Sequence, residues 1–217
     1  TRGVGGIALH AIPQVPYAPE RAAQIRALRD VLKSFAGRRI LIDEALPGSP
    51  ATVPAESGDL TLNMTLAGVK SFDPIAVRAA VQSLEGTSKG STTLAATDGP
   101  ALARSAGRYG DPAAAKVLAT LLLATRANAQ LYFGQEIGLT GEPAVLPWGT
   151  RPDPAARYPA PAGPEVAAEE ADPNSLLNWY RRLIDLHHSN ATMYSGAIDL
   201  LNHDDQGVIV WISRRGV

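Results

Sequence analysis

Short apolar runs alternate with helix-patterned segments along most of this 217-residue chain, and that alternation predicts an α/β fold with a parallel sheet. Two features strengthen the expectation. The apolar runs are nearly continuous, as strands buried on both faces are. The segments between them carry apolar residues at helical spacing and open on residues suited to helix starts.

Residues 3–12, GVGGIALHAI, read as a first strand, ended by Pro13 and Pro16. Residues 19–35 place Ala22, Ile25, Leu28, Val31 and Leu32 on one helical face. Residues 39–46, RILIDEAL, are a second strand ending in acids, and 47–58 a Pro/Ser loop. Residues 60–66 read as a third strand. Residues 73–84 read as an amphipathic helix capped by Asp73, with Pro74 at its first position. Residues 92–96 form a fourth strand running into Thr97 and Asp98. A helix follows over 112–126 and a fifth strand over 129–133. Residues 141–171 are proline-rich and read as a loop. A helix over 175–188 follows, with Asp172 as its N-cap. Residues 197–201 and 207–213 read as a hairpin about 202–206, with the β element still under way at the end.

Composition narrows the function. Apolar residues at 45 % suffice for a core, and a net charge of −1 without any basic run argues against a nucleic-acid partner. The absence of cysteine removes disulfides and thiolate chemistry. The longest apolar run, 117–124, is too short to span a bilayer. The chain begins at Thr1 and shows no signal peptide, which reads as a processed chain or an excised piece and leaves the compartment open. No metal-ligand cluster, P-loop or dinucleotide fingerprint is present.

Tyr132-Phe133-Gly134-Gln135-Glu136-Ile137-Gly138 is the most distinctive run, and it resembles the end of the eighth barrel strand in the α-amylase superfamily, its α-glucosidase and trehalulose-synthase-like branch in particular. Five further segments resemble that family in the correct order. Residues 3–11, GVGGIALHA, are similar to its fourth-strand pattern, and Leu41-Ile42-Asp43-Glu44 to its fifth, which ends in a glutamate. Ala96-Thr97-Asp98 sits where the seventh ends in N-H-D, followed by Arg108-Tyr109-Gly110-Asp111 for an R-F-G-D-like run. Residues 166–184 are close to the family's last barrel helix. The resemblance implies part of a (β/α)₈ TIM barrel, strands four to eight with their helices over residues 1–190. It also implies the start of a C-terminal antiparallel β-domain over 191–217. Five parallel strands cannot close an eight-stranded barrel. The missing half is then expected from another chain or copy, as in a homo-oligomer, unless the piece is an open layer with its edge covered.

The resemblance also locates a catalytic centre and its defects. Retaining glycosidases use two carboxyls about 5–5.5 Å apart, one as nucleophile and one as acid/base. The family's nucleophilic aspartate corresponds to His10, and the arginine two residues earlier to Ala8. Glu44 holds the acid/base position and Asp98 the position of the transition-state stabiliser. Thr97 replaces the family histidine as a substrate-binding candidate, and Trp148, an aromatic in a loop, is a second one. An imidazole cannot supply negative charge beside an oxocarbenium-like centre. An arginine with no carboxylate to neutralise would itself be costly there. The joint loss is coherent, and it predicts that the covalent-intermediate mechanism is lost.

Plainer readings stand beside these. Glu44 and Asp98 also fit solvated loop carboxylates, and His10 a hydrogen-bonded wall residue. Asp43 alternates to the opposite face from Glu44. Glu136 fits a loop-holding role, Trp179 and Tyr180 fit packing, and His187-His188 fit a helix C-terminus better than a metal pair. The expectation is a glycoside-hydrolase-like protein of carbohydrate metabolism with lost or reduced activity, taking a sugar or oligosaccharide and no cofactor. Two alternatives remain: an active hydrolase in which Glu44 is general acid and Asp98 general base, and a purely structural or partner-binding domain.

Overall fold

The computed structural model describes residues 5–10, 19–44, 59–87, 92–99, 102–141, 163–202 and 207–216. Five parallel strands stand side by side in chain order: β1 (Gly6–His10), β2 (Ile40–Glu44), β3 (Leu60–Asn63), β4 (Thr93–Ala95) and β5 (Asn128–Ala129). Helices α1 (Pro19–Lys33), α2 (Pro74–Thr87), α3 (Ser105–Tyr109) and α4 (Pro112–Leu123) lie between strands, and α5 (Val166–Ala171), α6 (Leu176–Ser189) and α7 (Ala191–Ser195) follow β5. Strands β6 (Ala197–Leu200) and β7 (Trp211–Arg214) pair antiparallel in a separate small sheet.

The two faces of the parallel sheet can be told apart by their neighbours. Leu41 packs with Ile25 and Leu32 of α1, with Leu9 against them, so these strand residues face the helices. Ala95 joins Val77, Val81 and Leu84 of α2 and Leu121 and Leu122 of α4 in the main core. Side chains alternate along a strand. Ala8, Ile42, Glu44, Leu62 and Leu94 therefore occupy the other, inner face, where Leu62 and Leu94 pack with Met64, Ala67, Ala96 and Leu102. Toward β1 that face is thinly covered: Ala8 is exposed, and Ile42 and Glu44 are half-buried.

Local chemistry explains where the elements stop. Asp73 caps α2, its two carboxylate oxygens accepting from the N–H groups of Ile75 and Ala76, with Pro74 first in the helix. Asp111 does the same for α4, ahead of Pro112. The third strand is shorter than the apolar run implies. Asn63 ends it, because its Oδ1 accepts from the N–H of Thr65 at 2.8 Å and turns the chain into a 3₁₀ turn over Leu66–Gly68.

Three other expectations change. The fifth strand pairs only at Asn128 and Ala129, and the chain then leaves the ladder for a 3₁₀ turn at Gln135–Ile137. Part of the proline-rich segment, Val166–Ala171, is helical. The cap of α6 is Ser175, whose Oγ accepts from the N–H of Asn178 at 3.1 Å. Asp172 instead ends α5 and accepts from Asn174.

The C-terminal segment shares the core. Ile209 and Trp211 pack against the main cluster. The buried Arg78 of α2 donates to the carbonyls of Asn202 at 2.6 Å and Val208 at 3.4 Å. No helix among the described residues is long and apolar enough to cross a membrane.

Candidate functional site

The carboxyl ends of parallel strands are where α/β barrels assemble their sites. Here those ends carry His10, Glu44 and, just beyond β4, Thr97 and Asp98. His10 and Glu44 are direct partners across the β1–β2 ladder, and Glu44 is in turn aligned with Leu62. Backbone register therefore brings positions 10 and 44 side by side at the inner-face end of the sheet. The side chain of His10 and the whole of Trp148 lie outside the described residues. Glu44 is half-buried, whereas Asp43 turns to the helix face and is buried, as the alternation predicts.

Asp98 is in a different environment. It is 1 % exposed. Its Oδ1 accepts from the N–H of Ser105 at 2.5 Å, and its Oδ2 from the Ser105 hydroxyl at 2.6 Å. The neighbouring Thr97, fully buried, lies 3.4 Å from Oδ2 through its own hydroxyl. The two bonds from Ser105 have the short distances of the charge-assisted class, and they fasten the loop after β4 to the first residue of α3.

Thr97 extends the network outward. The side-chain amide of Gln135 donates to the Thr97 hydroxyl and to the Tyr180 phenol, both at 2.7 Å, while its Oε1 accepts from the N–H of Tyr132 at 3.1 Å. Arg108 donates to the Thr97 carbonyl at 2.8 Å. Burial pushes the Tyr180 phenol well above its ordinary range, the Gln135 hydrogen bond opposing this and the charges of Asp98 and Glu136 adding to it. The distinctive run at 132–138 is thus a structural clasp. Gly134 and Gly138 adopt left-handed conformations on either side of the 3₁₀ turn, and the clasp aims Gln135 into the protein between β4, β5 and α6. Arg104 reinforces it from outside, donating to the Phe133 carbonyl with its guanidinium over the Tyr132 ring.

Sequence reasoning missed Gln135 and Ser105. Gln135 sits in the recognised run but carries no charge, so nothing marked it. Ser105 opens a five-residue helix too short to show a periodic pattern. The residues assigned to packing fit that role: Tyr180 is buried, and the Trp179 indole donates to the Thr120 hydroxyl at 3.1 Å. No group of three or more metal-ligating side chains occurs among the described residues.

Neither a protein-family model nor a curated protein matches the sequence. Solved structures do match. The α-amylase from H. orenii superposes with a TM-score of 0.74 at 23 % identity, over 96 % of this chain and 48 % of that one. The chain therefore shares the fold of this α-amylase over about half of that protein's length. A cyclic α-maltosyl-(1→6)-maltose hydrolase from Arthrobacter globiformis gives 0.71 at 19 % identity, over 99 % of this chain and 46 % of that one. The isomaltulose synthase from Erwinia rhapontici NX5 gives 0.72 at 18 %, over 99 % and 55 %. The chain spans about half the length of these α-amylase-type proteins. Its five strands and flanking helices correspond to part of an α-amylase-type barrel, with a small antiparallel sheet after it.

Proposed function

We propose that this chain is the C-terminal part of an α-amylase-type barrel, residues 1–190, followed by the start of a β-domain, residues 191–217. Its site binds α-glucosidic sugars without the covalent-intermediate mechanism. The observation that carries the reading is the state of the three carboxylate positions. One is occupied by His10, one is Asp98 with both oxygens held by Ser105, and one is Glu44, half-buried on the inner face. A retaining displacement needs a nucleophilic carboxylate facing an acid/base partner, and Glu44 alone cannot fill both roles.

An inverting mechanism with Glu44 as acid and Asp98 as base would need Asp98 free to activate water across a gap of about 6.5–9.5 Å. The hydrogen bonds from Ser105 oppose that role. The thinly covered inner face near β1, where Ala8 is exposed and Ile42 and Glu44 are half-buried, is the surface that the remaining strands of such a barrel would complete.

Titration calorimetry with maltooligosaccharides tests the binding claim: saturable heat is expected, and none would leave only a structural role. Hydrolysis of p-nitrophenyl α-glucoside at high protein concentration tests the loss of chemistry. Turnover that disappears in Glu44→Gln would refute it. The paired change Ala8→Arg with His10→Asp, made with the missing strands supplied, is expected to return activity; silence in that folded assembly would count against the site assignment.

A further inference from the structure

We propose that Ser105 is a latch on Asp98, and that a sugar needing this carboxylate must displace the latch to bind. The inference rests on the sugar-binding reading above. Asp98 lies three residues beyond the end of β4. The alternation that puts Leu94 and Ala96 in the inner-face cluster gives Asp98 the same parity, so its natural outlet is the inner face. Asp98 is nevertheless 1 % exposed, and its carboxylate is bound twice by Ser105, through the N–H and the hydroxyl.

The latch is braced from behind. Thr97 is pinned by Gln135 through its hydroxyl and by Arg108 through its carbonyl, which leaves the Asp98 backbone little freedom. Helix α3 has five residues and ends at Gly110 in a left-handed conformation. A helix that short is not stable alone, so the Asp98 bond to its first N–H helps it persist. Unlatching therefore loosens α3 as well. A ligand that binds only the unlatched form sees its apparent affinity reduced by the fraction of molecules in that form.

Ser105→Ala removes the hydroxyl bond and keeps the backbone one. Calorimetry with maltotriose should then show roughly tenfold tighter binding, the effect of one charge-assisted hydrogen bond on the latched fraction. Ser105→Thr keeps a hydroxyl and should bind as the parent does. Asp98→Asn added to Ser105→Ala should cancel the gain. If the parent binds maltotriose and folded Ser105→Ala binds no tighter, the latch is refuted and the sugar-binding reading stands. If neither binds, both fall. Should Ser105→Ala fail to fold, amide exchange in the parent decides: maltotriose should speed exchange at the Ser105 N–H, and unchanged or slower exchange in the bound protein overturns the proposal.

Discussion

Replacing Gln135 with leucine removes a buried amide that joins three parts of the fold. Gln135 is 5 % exposed, and its partners Thr97 and Tyr180 are 0 % and 2 % exposed. Three hydrogen bonds are lost: from the Tyr132 N–H, to the Thr97 hydroxyl and to the Tyr180 phenol. Each contributes about 1 kcal/mol net, and stranded buried partners add to the loss. Thr97 retains Asp98 as a neighbour, which limits that addition. The expected destabilisation is about 3 kcal/mol, which for a chain of this size lowers the melting temperature by roughly 6–12 °C. Tyr180→Phe should cost about 1 kcal/mol by losing one of the three bonds. Because the two residues share that bond, the double variant should cost about 1 kcal/mol less than the sum of the singles. Circular-dichroism melts of the four proteins complete the cycle. A Gln135→Leu change within about 0.5 kcal/mol of the parent, or strict additivity, would refute the clasp.

Three further outcomes follow from local geometry. Burial raises the Glu85 carboxyl above its ordinary range although Arg126 Nε lies 2.9 Å away and pulls the other way. The folded state then holds a proton that the unfolded state has released. Stability should fall as pH rises from the ordinary carboxylate value through the raised one, and Glu85→Gln should flatten that slope in urea titrations; parallel profiles would count against it. Gly134 has φ of 80°, and a Cβ there would run into the Leu139 side chain, so Gly134→Ala should cost about 2–4 kcal/mol in the same melts. Ser175→Ala should cost about 1 kcal/mol as a lost N-cap, and Asp172→Ala clearly less; the reverse order would return the cap of α6 to Asp172.

What could be read from the sequence depended on how each element is encoded. The strands at β1 and β2 and helices α1, α2 and α4 are legible through apolar patterning, and α2 also through its Asp-Pro start, all local signals. The parity of Asp43 and Glu44 followed from strand alternation alone. By contrast, Asp98 looked like a site carboxylate because its position in the chain matched one. Its burial depends on Ser105, seven residues away, and on a short helix that no window detects. Gln135 reaches Thr97 and Tyr180 across 38 and 45 residues, a separation that local pattern cannot see. The cap of α6 was misplaced because Asp172 and Ser175 are both good cap residues, and the short helix α5 uses the first as its end.

The brevity of β5 has its own consequence. Only two rungs, Leu94 with Asn128 and Ala95 with Ala129, join it to β4. A ladder that short gives apolar alternation almost nothing to act on, and alternation is what normally forbids a one-residue slip. Its address is written instead in amide groups: Asn128 Nδ2 donates to the Thr93 carbonyl at 3.2 Å, and the Gln130 N–H to the Ala95 carbonyl at 2.8 Å. This margin of the sheet is therefore a seam held by one main-chain rung and one side-chain amide, and only the second, at Asn128, is open to substitution.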